Sequence, residues 1–240
     1  MGQIPLINTD QASAWDGDDG GYWVDQEPRY EVMLQPYTNA LLQAAGLRDT
    51  DRVLDVGCGC GGSTRASARQ ASKGFTLGVD LSRAMLARAR EHAVEEGLHN
   101  LRFEHADAQV SPFEAKSYDA ILSRFGVMFF ENPVQAFQNL HRALKPSGVF
   151  TAIVWQSLEQ NAWIRELRAV LAAGRTLPSP PTGSPGPLGL ANTDYTRQIF
   201  FSAGFSETTF TSVRAPLFYG ETADIAFPFI NGMPLVKTLL

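Results

Sequence analysis

Two hydrophobic rhythms alternate along the chain between residues 52 and 155. Short apolar runs at 52–56, 75–79, 101–104, 118–122 and 149–155 read as strands, and the stretches between them carry helical patterns. Strand alternating with helix predicts crossover units and a mainly parallel sheet. Val53-Leu54-Asp55-Val56 is apolar apart from one acid, the pattern of a central strand covered on both faces. Over 82–96, Met85, Leu86, Ala89 and Ala93 share one face, with Ser82 available as N-cap and Gly97 as the stop. Asn132 and Pro133 open another helix with the stripe Val134, Phe137, Leu140 and Leu144. Lys145-Pro146-Ser147-Gly148 then reads as a turn into the last of these strands.

The flanks are less regular. Trp15, Tyr22, Trp23, Tyr30 and Tyr37 crowd an acidic, glycine-interrupted N-terminal arm that leads into a helix over 39–45. After the sheet, 162–173 reads as a helix carrying Trp163, Ile164, Leu167, Val170 and Leu171. Pro178, Pro180, Pro181, Pro185 and Pro187 then forbid a regular helix. A short helix over 195–203, stopped by Gly204, and a strand over 208–213 complete the pattern, and no internal repeat is present. The expected fold class is α/β, a Rossmann-like, doubly wound, mainly parallel sheet with helices on both faces, an aromatic N-terminal helical arm and a Pro-rich insertion near the C-terminus. We expect one domain over 1–240, with an arm or lid over 1–50, a core over 51–156 and a substrate-side region over 157–240.

Composition narrows the function classes. The 240 residues carry 20 Lys and Arg against 25 Asp and Glu, a net charge of -5, which supplies no basic surface for a nucleic-acid backbone. With 44% hydrophobic and 19% charged residues the chain is globular in composition, and neither nucleic acid nor membrane is an expected partner. Residues 1–10 lack a basic region followed by an apolar one, so a cytoplasmic location is expected. The only cysteines, Cys58 and Cys60, are too close to staple distant segments and too few to build a zinc site alone.

The segment most informative about chemistry is Val53 to Thr64, a strand entering a glycine turn and then a helix. Read through Gly57, Gly59 and Gly62 it fits a dinucleotide site, and read through Gly61 a nucleoside site without a diphosphate; the glycines alone leave both open. Asp55 tilts the balance, because a carboxylate there repels a diphosphate and attracts an α-ammonium. Its alternative role is to bond the loop's own amides. Asp80 ends the next strand about 20 residues beyond the glycines, the distance at which a carboxylate meets ribose hydroxyls. Asp107 ends the third strand, where its carboxylate and the Ala108 amide are placed to meet an adenine amine and ring nitrogen.

VLDVGCGCGG, GVDLS, HADAQ and YDAILSRFGVMFF, in this order and spacing, resemble class I S-adenosylmethionine-dependent methyltransferases, in their small-molecule, ubiquinone- or menaquinone-biosynthesis-like branch. The similarity covers roughly residues 30 to 155, and weakly the flanks. It implies S-adenosylmethionine as cofactor, S-adenosylhomocysteine as product and no metal. Asp55, Gly57, Cys58 and Gly59 would then line the methionine portion, Asp80 hold the ribose and Leu81 pack on the adenine. Asp107 and Ala108 would recognise the adenine edge, and Arg124 would reach the methionine end. Phe125 and Met128 become substrate-side candidates beside Tyr22, Trp23 and Tyr30 of the arm, where an aromatic face attracts a sulfonium.

Methyl transfer mainly requires alignment and exclusion of water, so a base is optional, and His92, His99, His105 and His141 sit in no informative motif. No catalytic residue is named. The expected reaction is methylation of a small, apolar or aromatic molecule at a carbon, oxygen or nitrogen. The alternatives are a protein that keeps the cofactor site for other chemistry, as a cyclase or a binder, and an NAD-dependent oxidoreductase. One strand after residue 205 is fewer than the family pattern closes with, and the apolar residues 235–240 would favour association of copies through the C-terminal region.

Overall fold

The computed structural model describes residues 6–175, 177 and 181–237, without the side chain of Leu235. Three helices precede the sheet: α1 (Thr9–Trp15), α2 (Asp18–Asp25) and α3 (Glu27–Ala45). The strands are β1 (Arg52–Val56), β2 (Phe75–Asp80), β3 (Leu101–His105), β4 (Tyr118–Arg124) and β5 (Leu144–Ile153), all parallel, in the order β3-β2-β1-β4-β5. Helices α4 (Gly62–Gln70) and α5 (Arg83–Glu95) link the first three strands, and α6 (Pro133–Ala143) links β4 to β5. After the sheet come α7 (Ala162–Ala172), α8 (Thr193–Ser202), α9 (Ala223–Gly232) and α10 (Pro234–Lys237).

Period-two alternation divides the β1 side chains between two layers. Leu54 and Val56 join Leu77, Ile121, Phe137, Leu140 and Phe200 on the α6/α8 face, whereas Val53 joins Leu41, Leu42, Ala71 and Leu122 on the α3/α4 face. The strand order reverses at β1, which has β2 on one side and β4 on the other, and this opens a crevice beyond the carboxyl ends of the strands. Side-chain caps fix the helices around it. Ser82 Oγ accepts from the Met85 amide, Asn132 Oδ1 from that of Gln135 and Asn192 Oδ1 from that of Tyr195.

Four expectations change. The helix expected over 39–45 is the end of the 19-residue α3, which runs through Pro36. Pro36 and Val32 both face water, so the carbonyl deprived of its partner lies on the wet side, while Tyr30, Met33, Leu34, Tyr37, Leu41 and Leu42 hold the buried face. Residues 145–148 are a bulge inside β5 rather than a turn before it: Tyr118 pairs with Leu144, and Ala120 already pairs with Val149. The strand expected over 208–213 is irregular chain without a ladder. Alternate burial begins only at Val213, and the segment leans on α3, where Tyr37 Oη donates to the Ala215 carbonyl at 3.2 Å. Finally, Val236 is buried with Met233 and Phe229, so this part of the C-terminal tail is not apolar surface left in water. Residues 238–240, Pro178 and Pro180 lie outside the described residues. Pro181, Pro185 and Pro187 lie in irregular chain, as their rigid φ requires.

Candidate active site

β1 delivers the chain into a turn in which Gly57, Gly59 and Gly61 all have positive φ. At Gly57 this is obligatory twice over: φ is 68°, and a Cβ would come within 2.6 Å of the Gly126 Cα after β4. Ser123 Oγ fastens the same junction by donating to the Val56 carbonyl at 2.8 Å. The backbone here is therefore bare and pinned at the tips of two central strands.

Beneath the turn lies Asp55. It is 0% exposed, and its Oδ2 accepts from Ser63 Oγ at 2.7 Å and Thr64 Oγ1 at 2.6 Å. The expectation that it meets a ligand ammonium is corrected by strand alternation: its neighbours Val56 and Gly57 line the cavity, and Asp55 points into the layer under α4. Its carboxylate holds the first turn of that helix.

Asp80 does reach the cavity. Its Oδ2 accepts from the Gly59 amide at 2.8 Å and its Oδ1 from the Ser82 amide at 2.9 Å, so each oxygen keeps a further lone pair. Burial pushes its pKa up from the ordinary 3.8, against the lowering effect of the Ser82 and Gly59 backbone donors. Leu81 and Ala108 line the wall beside it, and His105 Nε2 sits 2.9 Å from the Leu81 carbonyl, fixing that corner. Asp107 also lines the cavity, but Ile7 and Asn8 of the arm donate their amides to its Oδ2 at 3.1 and 3.0 Å. The Gln109 amide takes Oδ1 at 2.9 Å, so one lone pair remains there.

The cavity that contains these acids measures about 1120 Å³ and continues into an aromatic chamber. Trp23 and Tyr30 of the arm stack at 3.8 Å, and Phe125 and Trp155 at 4.2 Å. Met33, Met128, Phe129, Trp163, Leu217, Tyr219 and segments of 181–192 complete the lining. Phe125 adopts φ 63°, a conformation costing about 1–2 kcal/mol for a bulky residue, and such strain clusters at ligand sites. Tyr22 does not line the cavity; its Oη donates to the Phe229 carbonyl at 2.5 Å behind the wall. Arg124 lines the cavity floor paired with Glu31 of α3. No histidine or lysine is among the described lining residues, and burial pushes the Tyr30 and Tyr219 phenols up. The Cys58 thiol is raised well above its ordinary value and that of Cys60 to about 12, so neither is a thiolate near neutrality. Among the described residues no group of three or more His, Cys, Asp or Glu is placed to hold a metal ion.

The structure thus brings together Gly57, Cys58, Gly59, Asp80, Leu81, Asp107, Ala108, Arg124, Phe125, Met128, Trp23 and Tyr30, and leaves Asp55 and Tyr22 outside. The sequence reading missed Asn8, Glu31, Trp155 and Tyr219. Trp155 follows β5 at the same sheet edge as the acids, a usable signal. Asn8, Glu31 and Tyr219 meet the site only through contacts distant in sequence.

Residues 53–148 match the sequence family described as "Methyltransferase domain". An uncharacterized protein of Mycobacterium tuberculosis is 31% identical over 170 residues, covering 71% of this chain and 59% of that one. Erythromycin 3''-O-methyltransferase of Saccharopolyspora erythraea is 33% identical over 136 residues, covering 54% and 42%. The chain thus spans about half the length of the curated relatives it matches. In fold it is similar to the crystal structure of a SAM-dependent methyltransferase from Aquifex aeolicus, at TM-score 0.56 and 20% identity over 83% of this chain and 89% of that one. Glycine turn, acid-tipped parallel strands and family match agree on one segment: residues 53–148 match a methyltransferase domain.

Proposed function

We propose that this protein transfers a methyl group from S-adenosylmethionine to a small, apolar or aromatic molecule. One observation carries the proposal: a single cavity joins a nucleoside-sized end, edged by strand-tip acids and bare glycine backbone, to a chamber walled by aromatic rings. Its volume exceeds the roughly 300–1,000 Å³ of a one-ligand pocket, which leaves room for donor and acceptor together. The residues present fit the donor. Gly57 and Gly59 offer backbone without side chains, the spare lone pairs of Asp80 suit ribose hydroxyls, and Leu81 offers an apolar face beside the Ala108 amide.

When bound, the sulfonium supplies an activated methyl carbon. What the chain does is orient, desolvate and cover. The Trp23–Tyr30 stack presents π faces suited to a cation, the aromatic wall excludes water, and α1 to α3 close the opening. The described wall carries no histidine or lysine, and its charged side chains are arginines and carboxylates. The whole chain is read as one unit, in which the arm over 1–50 and the region 157–240 build the acceptor side around a core over 51–156. Among the described residues no helix is long and apolar enough to cross a membrane.

Calorimetric titration with S-adenosylhomocysteine and with NAD tests the donor site without knowledge of the acceptor. We expect the first to bind and the second not; the reverse result overturns the proposal. Mass spectrometry of candidate acceptors, seeking the gain of one methylene unit, tests the transfer.

A further inference from the structure

Two polar atoms of the aromatic chamber have no role so far. Trp163 of α7 and Tyr219, in the segment between α8 and α9, both line the cavity, yet the buried Trp163 Nε1 and Tyr219 Oη have no hydrogen-bond partner in the protein. They belong to one layer of rings. Trp163 packs edge-on against Trp155 with centroids 5.1 Å apart, and Trp155 packs edge-on against Tyr37 at 5.5 Å. Burial, and less strongly the Tyr37 phenol, pushes the Tyr219 hydroxyl up, so it keeps its proton near neutrality. Other phenols around the chamber are satisfied, Tyr37 Oη by the Ala215 carbonyl and Tyr22 Oη by that of Phe229. Rings that served only as apolar wall would need no polar tip, and a buried tip left unpaired costs stability in the free protein.

Resting on the proposed function, we infer that Trp163 and Tyr219 read oxygen on the methyl acceptor, whose class is a flat aromatic molecule bearing a hydroxyl or carbonyl group. An indole N–H can only donate, so its counterpart must be an acceptor atom, which a hydroxyl or carbonyl oxygen supplies and a methyl or ammonium group does not. Tyr219 Oη donates to a carbonyl, or accepts from a hydroxyl, on the same ring system. Both tips are enclosed in the free chamber, so seating the acceptor displaces their cover. Met33, Met128 and Met233 stand in the same lining, and their flexible thioether chains let the wall give way. The two residues orient the acceptor and set its specificity; neither handles the methyl group or a proton of the reaction.

The test compares two probes of equal shape, 1-naphthol and 1-methylnaphthalene, by equilibrium dialysis against the full chain saturated with S-adenosylhomocysteine, in wild type, Trp163→Phe and Tyr219→Phe. We expect wild type to hold 1-naphthol about tenfold tighter than 1-methylnaphthalene, and each substitution to weaken 1-naphthol about fivefold while 1-methylnaphthalene stays within about twofold, the pattern of a lost hydrogen bond rather than of a lost wall. Unaltered S-adenosylhomocysteine affinity certifies that the variants are folded. No preference for 1-naphthol in wild type, equal changes for both probes, or no binding of either overturns the inference and leaves the donor reading intact. A fall in one variant alone removes the other residue from the role. Failure of S-adenosylhomocysteine to bind wild type overturns the donor reading instead, and the probe preference of the unloaded chain then decides the oxygen reading.

Discussion

The two ends of the cavity are built on opposite principles. At the glycine-turn end backbone geometry and carboxylates dominate, and the acids that line it are anchored: Asp80 by two amides, Asp107 by three. At the acceptor end rings dominate, contributed by the arm, by the segments after β4 and β5, and by residues beyond 210. Buried Trp163 Nε1 and Tyr219 Oη have no hydrogen-bond partner there. The contrast teaches where precision is needed. On the proposed function, a donor of fixed shape would meet a preorganised polar cradle, whereas the other end offers an acceptor shape and apolarity, with two polar atoms that have no partner in the free protein.

The largest break in the contrast comes from Gly57→Ala. The new Cβ must accept a left-handed φ and also displace the backbone of Gly126, so we expect about 3 kcal/mol of destabilisation and loss of measurable S-adenosylhomocysteine binding. Thermal melting and calorimetry check both; an unchanged affinity would show that the turn does not touch the donor. Asp80→Ala follows. It removes the acceptor for ribose together with the anchors of the Gly59 and Ser82 amides, and should weaken S-adenosylhomocysteine by about 2 kcal/mol, roughly 30-fold, with 5′-methylthioadenosine weakened equally.

The same division explains what the sequence makes legible. Residues 53–64 encode strand, turn and helix within a dozen positions, and Asp80, Leu81, Asp107 and Ala108 occupy corresponding strand tips, so local pattern suffices to find them. The α5 and α6 boundaries follow likewise from Ser82, Gly97, Asn132 and Pro133. Asp55 is misassigned because motif position does not tell to which side of a strand a carboxylate points. Asn8, Glu31 and Tyr219 escape because their contacts to the site bridge distant parts of the chain; the bonds of Asn8 to Asp107 and of Glu31 to Arg124 span 99 and 93 positions. Pro36 misleads in the other direction, suggesting a break in a helix whose buried stripe outweighs one lost bond.

An intermediate effect is expected where arm and cradle meet. Asn8, 3% exposed, donates its amide to Asp107 and its Nδ2 to the Phe129 carbonyl at 3.0 Å, while Asp16 Oδ1 accepts from the Arg83 amide at 2.6 Å. These contacts latch α1 across the cavity mouth at two ends. Asn8→Ala with Asp16→Ala removes the side-chain bonds to Phe129 and Arg83 while the Asn8 backbone amide stays on Asp107, and should cost about 1 kcal/mol of stability and speed dissociation of S-adenosylhomocysteine about tenfold in stopped-flow fluorescence. Unchanged dissociation would make α1 a staple and not a lid.

The smallest expected effect is the most discriminating for the acceptor end. A buried donor without a partner costs stability, so removing it without changing the ring should not destabilise the free protein. Tyr219→Phe and Trp163→Phe should therefore melt at the wild-type temperature or slightly above, by up to about 1 kcal/mol for the first, with S-adenosylhomocysteine affinity unaltered; Trp163→Phe gives back part of that gain through its smaller ring. The same substitutions at the donor end would have the opposite sign, because every bond removed there is one the folded site already makes. If Tyr219→Phe instead lowers stability by more than about 1 kcal/mol, the hydroxyl has a partner in solution and the acceptor end is as satisfied as the cradle. If stability rises while turnover of an oxygen-bearing acceptor falls, the hydroxyl is held in reserve for the substrate, and the two ends of the cavity differ in when their polar groups are satisfied rather than in whether they are.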